Sequence, residues 1–265
     1  METIDVVSLN LWNRFGPWEP RLAALRHGLR ALAPDIVGVQ EIVRAPGFEQ
    51  GELIAEGRYY VAFGACNRYD DVLVGNGVLS RFPILHEEVI PLPDGRTTER
   101  RVLVYARIKT PHGELPFFVT HLNWRLDEGH VRQLQVRAVA DAIEARCPSR
   151  DAMSPVLTGD FNAEPDSDEI RFLRGLTSLG GRSVFYADAW IVGGDGTPGV
   201  TFSKKNPFAE PLREPERRID YIFVRGHDDP SRHGDVLSAK RCFDQPHEGV
   251  FPSDHFGVQA TLRVR

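Results

Sequence analysis

The chain has 265 residues, 42% of them apolar, and no shift in composition, low-complexity stretch or charge block divides it, so a single domain over residues 1–265 is expected. Acidic residues exceed basic ones, 37 to 32, giving a formal charge of -5, which weakens the case for a protein that grips long nucleic acid by electrostatics alone. No apolar run reaches membrane-spanning length, and the start Met1-Glu2-Thr3-Ile4-Asp5 lacks the basic and apolar regions of an export signal, so a soluble, cytoplasmic monomer is expected.

In chain order, β-rich apolar or alternating runs predict strands at 4–9 and 36–40. Between them the spacing predicts a helix over 20–33, with Leu22, Leu25, Leu29 and Leu32 on one face and Pro20 in the first turn. Strands follow at 59–63, 72–79, 84–91, 102–108 and 115–120. A helix over 128–146 places Val131, Leu134, Gln135, Ala138, Val139, Ala142 and Ile143 at helical intervals against a sheet. The apolar run 154–157 then enters Thr158-Gly159-Asp160-Phe161-Asn162, and a helix over 167–176 is capped by Asp166 or Ser167 with Ile170, Leu173 and Leu176 inward. Strands resume at 184–190, 219–224, 236–242 and 256–264. Many strands with few helices imply two packed sheets with the helices outside.

Several apolar strands end in polar or ionisable residues: Asn10, Glu41, His121 to Asn123, Asp160 to Asn162, and, near the far end, Asp254 and His255. Ionisable groups at buried strand ends are costly, so a shared metal or substrate explains their recurrence better than packing does. Alternation turns Asp160 and Asn162 to one face, and Gly159 lets a neighbouring group approach closely.

Hard cations such as Mg²⁺ or Mn²⁺ choose oxygen donors, which makes Glu41 beside Asn10 a natural binding pair. Asp160 suits a base that takes a proton from water or holds it as hydroxide near a metal, with Asn162 orienting the nucleophile or a phosphate oxygen. His121 and His255, as imidazoliums, would stabilise charge developing on phosphate, and Asp220, entering an apolar strand, needs an imidazole partner. The adjacency of Ser253, Asp254 and His255 excludes an acyl-hydrolase triad, and neither a Gly-x-Ser-x-Gly elbow, a P-loop nor a dinucleotide fingerprint is present. Cys66, Cys147 and Cys242 lack metal spacing and read as reduced, buried thiols.

Together, Ser8-Leu9-Asn10, Val39-Gln40-Glu41, Thr120-His121-Leu122, Gly159-Asp160-Phe161-Asn162, Arg218-Ile219-Asp220-Tyr221 and Ser253-Asp254-His255 resemble the endonuclease/exonuclease/phosphatase superfamily, the fold of pancreatic deoxyribonuclease, across nearly the whole chain. The resemblance implies a four-layer α/β-sandwich, with two central, mainly antiparallel sheets flanked by helices and the site at one edge. It also implies a metal held at Asn10, Glu41 and Asp254, and water activated by Asp160 and positioned by Asn162. His255, paired with Asp220, would contact the scissile phosphate, and His121 would bind or polarise it. The implied activity is divalent-metal-dependent hydrolysis of a phosphodiester, in nucleic acid or in a small or lipid-headgroup ester. The alternative, a binding or scaffold protein that kept the sandwich, would lack site residues, and here all the expected types are present.

The loops leave two questions open. Arg96, Arg100 and Arg101, and Lys204, Lys205, Arg213, Arg217 and Arg218, are either solvated or recognise phosphate at the rim of the site. Trp12, where some branches carry a polar residue, joins Trp18 and Trp124 as cleft-lining or packing residues.

Overall fold

The computed structural model describes residues 2–148, 153–226 and 233–264. The chain begins β1 (Thr3–Asn10), α1 (Trp18–Leu32), β2 (Ile36–Ala45), β3 (Phe48–Glu49), α2 (Gln50–Ala55), β4 (Tyr60–Tyr69) and β5 (Val72–Ser80). It continues β6 (Ile84–Pro91), β7 (Val102–Thr110), β8 (Gly113–His121), α3 (Gly129–Arg146), β9 (Val156–Asp160) and α4 (Asp168–Leu173). It ends β10 (Tyr186–Asp188), α5 (Ala189–Gly193), β11 (Asp220–Arg225), β12 (Val236–Cys242) and β13 (Gly257–Arg263).

Seven strands form one sheet in the order β12-β13-β1-β2-β5-β4 with β3 beside β2, and six form the other in the order β10-β11-β9-β8-β7-β6. Among the described strands only β1–β2 and β8–β9 pair in parallel. The period of two sorts each strand between layers. In β1, Ile4 and Val6 join the core between the sheets, which also takes Ile36, Val104, Phe117, Val119, Val156, Ile222 and Val258. Val7 and Leu9 face outward against Leu25 and Leu29 of α1 and Ile54 of α2. On the opposite outer face, Phe118, Leu157, Tyr221 and Phe223 pack under Val136, Val139 and Ile143 of α3 and Ile170 and Leu173 of α4. The result is a four-layer α/β-sandwich with mainly antiparallel central sheets.

Several expected boundaries shift for local reasons. The helix expected to reach residue 176 stops at Leu173, because Gly175 takes a left-handed φ of 75° and the Leu176 and Gly175 N–H groups close back on Arg171 O and Phe172 O. Leu176 is consequently exposed rather than inward. Ser167 sits at the cap position, but its hydroxyl donates back to Glu164 O instead of accepting from the helix. In α3 the buried stripe rotates toward Val136 and Ala140, and Leu134 is left exposed. The strand expected over 184–190 shrinks to β10, because Asp188 accepts from Trp190 N and starts α5. Cys147 and Cys242 are buried as expected, Cys66 is half-buried, and all three are free. Among the described residues no helix is long and apolar enough to cross a membrane.

Candidate active site

The candidate residues meet at one end of the sandwich, where β1, β8 and β9 finish, β2 is interrupted by a bulge and β11 begins. Asp160 lies in register with Asp220 on one side and His121 on the other, all on the inner face. The approach of β8 to β9 requires Gly159, since a Cβ there would stand 2.3 Å from Thr120 O. Asn10 projects inward from the facing sheet, and its Nδ2 donates to Asp160 Oδ2 at 3.0 Å and to Glu41 Oε1 at 3.2 Å.

Alternation along β2 would turn Glu41 to the outer face with Val37 and Val39. A β-bulge between Gln40 and Ile42 removes it from the ladder, and its φ of 56° re-aims the carboxylate at Asn10. Asn162 arrives by a similar device rather than by strand alternation. β9 ends at Asp160, and Asn162 is left-handed, with φ 51° and its N–H donating to Asp160 Oδ1 at 2.9 Å.

Asp160 Oδ2 is the hub of the site, with His121 Nε2 at 3.4 Å and His255 Nε2 at 3.8 Å. Asp220 Oδ2 holds His255 Nδ1 at 2.9 Å. Burial alone would push the His255 imidazole down. The charges of Asp220, Asp254 and Asp160, with the Asp220 hydrogen bond, outweigh it and hold His255 well above its ordinary value, as an imidazolium. His121 differs from the expectation: burial, then the charge of Arg101, push it down to about 3, so it is neutral at physiological pH. Its Nε2 accordingly accepts from Asn162 Nδ2 at 3.1 Å.

Residues that the sequence pattern does not reveal hold this set in place. Arg21 is fully buried and donates from Nε to Pro252 O and from its two Nη groups to Trp12 O, Phe15 O and Leu11 O, tying the segment after Asn10 to the segment before Asp254. Its spacing from Leu25 and Leu29 was the available signal, since it shares their inward face. Thr201 Oγ1 accepts the Ile219 and Asp220 N–H groups, and Ser253 Oγ donates to Asn10 O at 2.6 Å. Asn123 is structural: Gln135 pairs with its backbone and side chain, and Glu128 accepts from its Nδ2.

The basic loops divide. Arg218 donates with both Nη groups to Asp188, Arg217 pairs with Glu214, and Lys204 is capped by the carbonyls of Ala209, Glu210 and Leu212, so these three serve the scaffold. Lys205, Arg213, Arg96 and Arg100 are exposed, while Arg101 is buried and paired with Glu99. Trp12, itself left-handed at φ 53°, gives its N–H to Asn10 Oδ1 and packs on Phe208 and Arg21; Trp18 is buried and Trp124 half exposed. Two cavities lie elsewhere. One of about 500 Å³ is lined by Arg182, Phe185 and Tyr186, and one of about 300 Å³ by His27, Phe243 and His247.

The donor set fits a hard divalent cation. Burial, then the charge of Asp254, raise Glu41 to about 7, and burial likewise raises Asp254, so two carboxylates converge, neither of them in a salt bridge among the described residues. Asp160, Asp220 and His255 also bring ligand atoms within 4.8 Å of one another, but Asp220 is already committed to His255.

A sandwich of this topology is shared by known proteins. The chain belongs to the Endonuclease/Exonuclease/phosphatase family, whose model matches residues 7–255. YbhP of Escherichia coli (strain K12) is 27% identical over 240 residues, covering 84% of this chain and 85% of that one. The Danio rerio TDP2 structure complexed with a single-strand DNA product superposes with a TM-score of 0.77 at 21% identity, over 99% of this chain and 100% of that one. The human Nocturnin catalytic domain with a bound sulfate anion gives 0.75 at 20%, over 98% and 94%. Family membership supports a hydrolase of phosphate esters.

Proposed function

We propose that the protein is a divalent-metal-dependent phosphoesterase that hydrolyses a phosphodiester by in-line attack of water, on nucleic acid or on a small or lipid-headgroup ester. The observation that carries this reading is the position of Asp160, whose Oδ2 meets Asn10, His121 and His255 at 3.0, 3.4 and 3.8 Å. Mg²⁺ or Mn²⁺ held by Glu41 and Asp254, beside Asn10, would supply positive charge against phosphate and lower the pKa of a bound water. Asp160 takes the proton of the attacking water, and the Asn162 amide orients that water or a phosphate oxygen. His255, held charged by Asp220, donates to the phosphate as negative charge develops on it. Neutral His121 keeps the Asn162 amide in place and offers its other ring nitrogen for contact with substrate. Asn10 fixes the separation of Glu41 and Asp160. A fold-mate solved with a DNA product and another with sulfate support an anionic substrate, with nucleic acid among the candidates.

The test is hydrolysis of a bis-aryl phosphodiester, a phosphomonoester, and single- and double-stranded DNA and RNA, each with Mg²⁺, Mn²⁺ or chelator, beside Asp160→Asn. Metal-dependent turnover that disappears in the variant is expected. Turnover that survives in chelator or in Asp160→Asn would refute the mechanism.

A further inference from the structure

The site carries two buried guanidiniums, and they are engaged differently. Arg21 spends four of its five donors, Nε–H among them, on the carbonyls of Leu11, Trp12, Phe15 and Pro252, so it is committed to the scaffold. Arg101, immediately before β7, is 8% exposed; its Nη2 pairs with Glu99, while its buried Nε has no partner. The second carboxylate oxygen of Glu99 is equally bare. Arg101 stands two residues before Leu103, which pairs with Thr120 beside His121, and its charge acts on both His121 and Glu41, so it lies on their side of the site.

The surroundings are undersaturated as well. Gln40, opposite Asn10 and Asn76 in the sheet ladder and fully buried, leaves both amide atoms without partners, and Asn76 Oδ1 is also unpaired. Asn76 Nδ2 reaches Val102 O, next to Arg101. Orphaned donors and acceptors of this kind cost about 1–3 kcal/mol each when left bare. They cluster beside Glu41 and Arg101, so this side of the site holds unmet hydrogen-bonding capacity.

We propose that Arg101 is an anion-binding residue of this site, that its free Nε–H takes a phosphate oxygen of the substrate on the His121 side, and that Glu99 holds the neighbouring Nη2 in reserve until that oxygen arrives. The inference rests on the phosphoester reading above and adds the cation that neutral His121 does not provide. Arginine suits the role because, once Glu99 releases Nη2, its planar fork presents two parallel donors to a phosphate, which lysine does not.

Inorganic phosphate is the probe, and its affinity is read by calorimetry on the full chain, with Mg²⁺ and with chelator, alongside thermal melts. Arg101→Gln is expected to weaken phosphate at least fivefold, and Glu99→Gln, which frees the guanidinium, to tighten it about threefold. In the double variant the Glu99 effect is expected to vanish. Should Arg101→Gln not fold, Arg101→Lys replaces it, with phosphate weakened by a smaller factor. Phosphate affinity unchanged in the Arg101 variants, a wild-type protein that binds no phosphate, or a Glu99→Gln gain that persists without Arg101 would each overturn the proposal. The two readings fail separately. Loss of phosphate in Arg101→Gln from a protein that hydrolyses no ester would keep the anion site and sink the phosphoesterase. Ester turnover with phosphate affinity indifferent to Arg101 would do the reverse.

Discussion

Glu41→Gln is expected to stabilise the metal-free protein above neutral pH while abolishing its activity. The wild-type carboxyl is raised from its ordinary 4.5 to about 7, first by burial and then by Asp254. At about 1.4 kcal/mol per pH unit, charging it in the fold costs about 3 kcal/mol, an upper figure because Glu41 is only partly buried. The sign follows from linkage: for a raised pKa, the folded state is favoured below the ordinary value and loses that advantage as pH rises from 4.5 through about 7. Glutamine keeps an oxygen for the Asn10 Nδ2 bond and carries no charge, so it escapes this loss. For a chain of this length the gain at pH 8 corresponds to roughly 5–10 °C in Tm as an upper range, with little difference between the proteins at pH 4. Calorimetric melts of both proteins in chelator at the two pH values measure the difference directly. Added Mg²⁺ should then raise the wild-type Tm at pH 8 well above its effect on the variant, because only the wild type brings an ionised Glu41 to the cation. A variant that melts lower than wild type at pH 8 without metal, or gains as much from Mg²⁺, would refute the argument.

Asp220→Asn removes the largest charge holding His255 protonated. The alkaline limb of its kcat/KM profile should move to lower pH, with the plateau down by roughly 10²–10⁴; an unmoved limb would place the pKa elsewhere. Arg218→Gln strands Asp188 as a buried, unpaired charge and should cost about 3–5 kcal/mol in denaturant unfolding; a loss below about 1 kcal/mol would mean that water reaches the pair. Gly159→Ala places a methyl 2.3 Å from Thr120 O and must spread β8 from β9. It should cost about 1–3 kcal/mol by overpacking and lower activity too, because Asp160 and His121 ride on those strands; full activity would show that the pairing relaxes without moving them.

Much of the fold was legible because strand periodicity and burial obey the same rule. The alternation of Val6 with Val7, or Ile222 with Phe223, states which side chains meet the other sheet and which meet a helix. The candidate site was legible because apolar runs lead into polar ends at Asn10, His121 and Asp160. What the sequence hid depends on backbone departures from regularity. Nothing in Val39-Gln40-Glu41 announces a bulge, yet the bulge turns Glu41 toward Asn10. Nothing in Gly159-Asp160-Phe161-Asn162 announces the left-handed Asn162, so strand alternation supplied the right neighbour for the wrong reason. The protonation of His121 was hidden as well, since it is set first by burial and then by Arg101, twenty residues away in sequence and brought near by the β7–β8 pairing. Arg96 and Arg100 look equivalent to Arg101 in the sequence, and only burial separates them.

The formal charges around Asp160 explain why metal and substrate should depend on each other. Glu41, Glu99, Asp160, Asp220 and Asp254 face three cations, Arg21, Arg101 and protonated His255, an excess of two negative charges. A phosphate ester approaching the bare site meets repulsion, and a divalent cation cancels it. The converse is a thermodynamic requirement: the factor by which Mg²⁺ tightens phosphate must equal the factor by which phosphate tightens Mg²⁺. Calorimetric titrations in both orders should return the same coupling, and Glu41→Gln, which removes one of the excess charges, should reduce it. If phosphate instead binds the metal-free protein as tightly as the loaded one, the carboxylates around Asp160 are neutralised by protons rather than by a cation. The metal would then lose its electrostatic reason to be there.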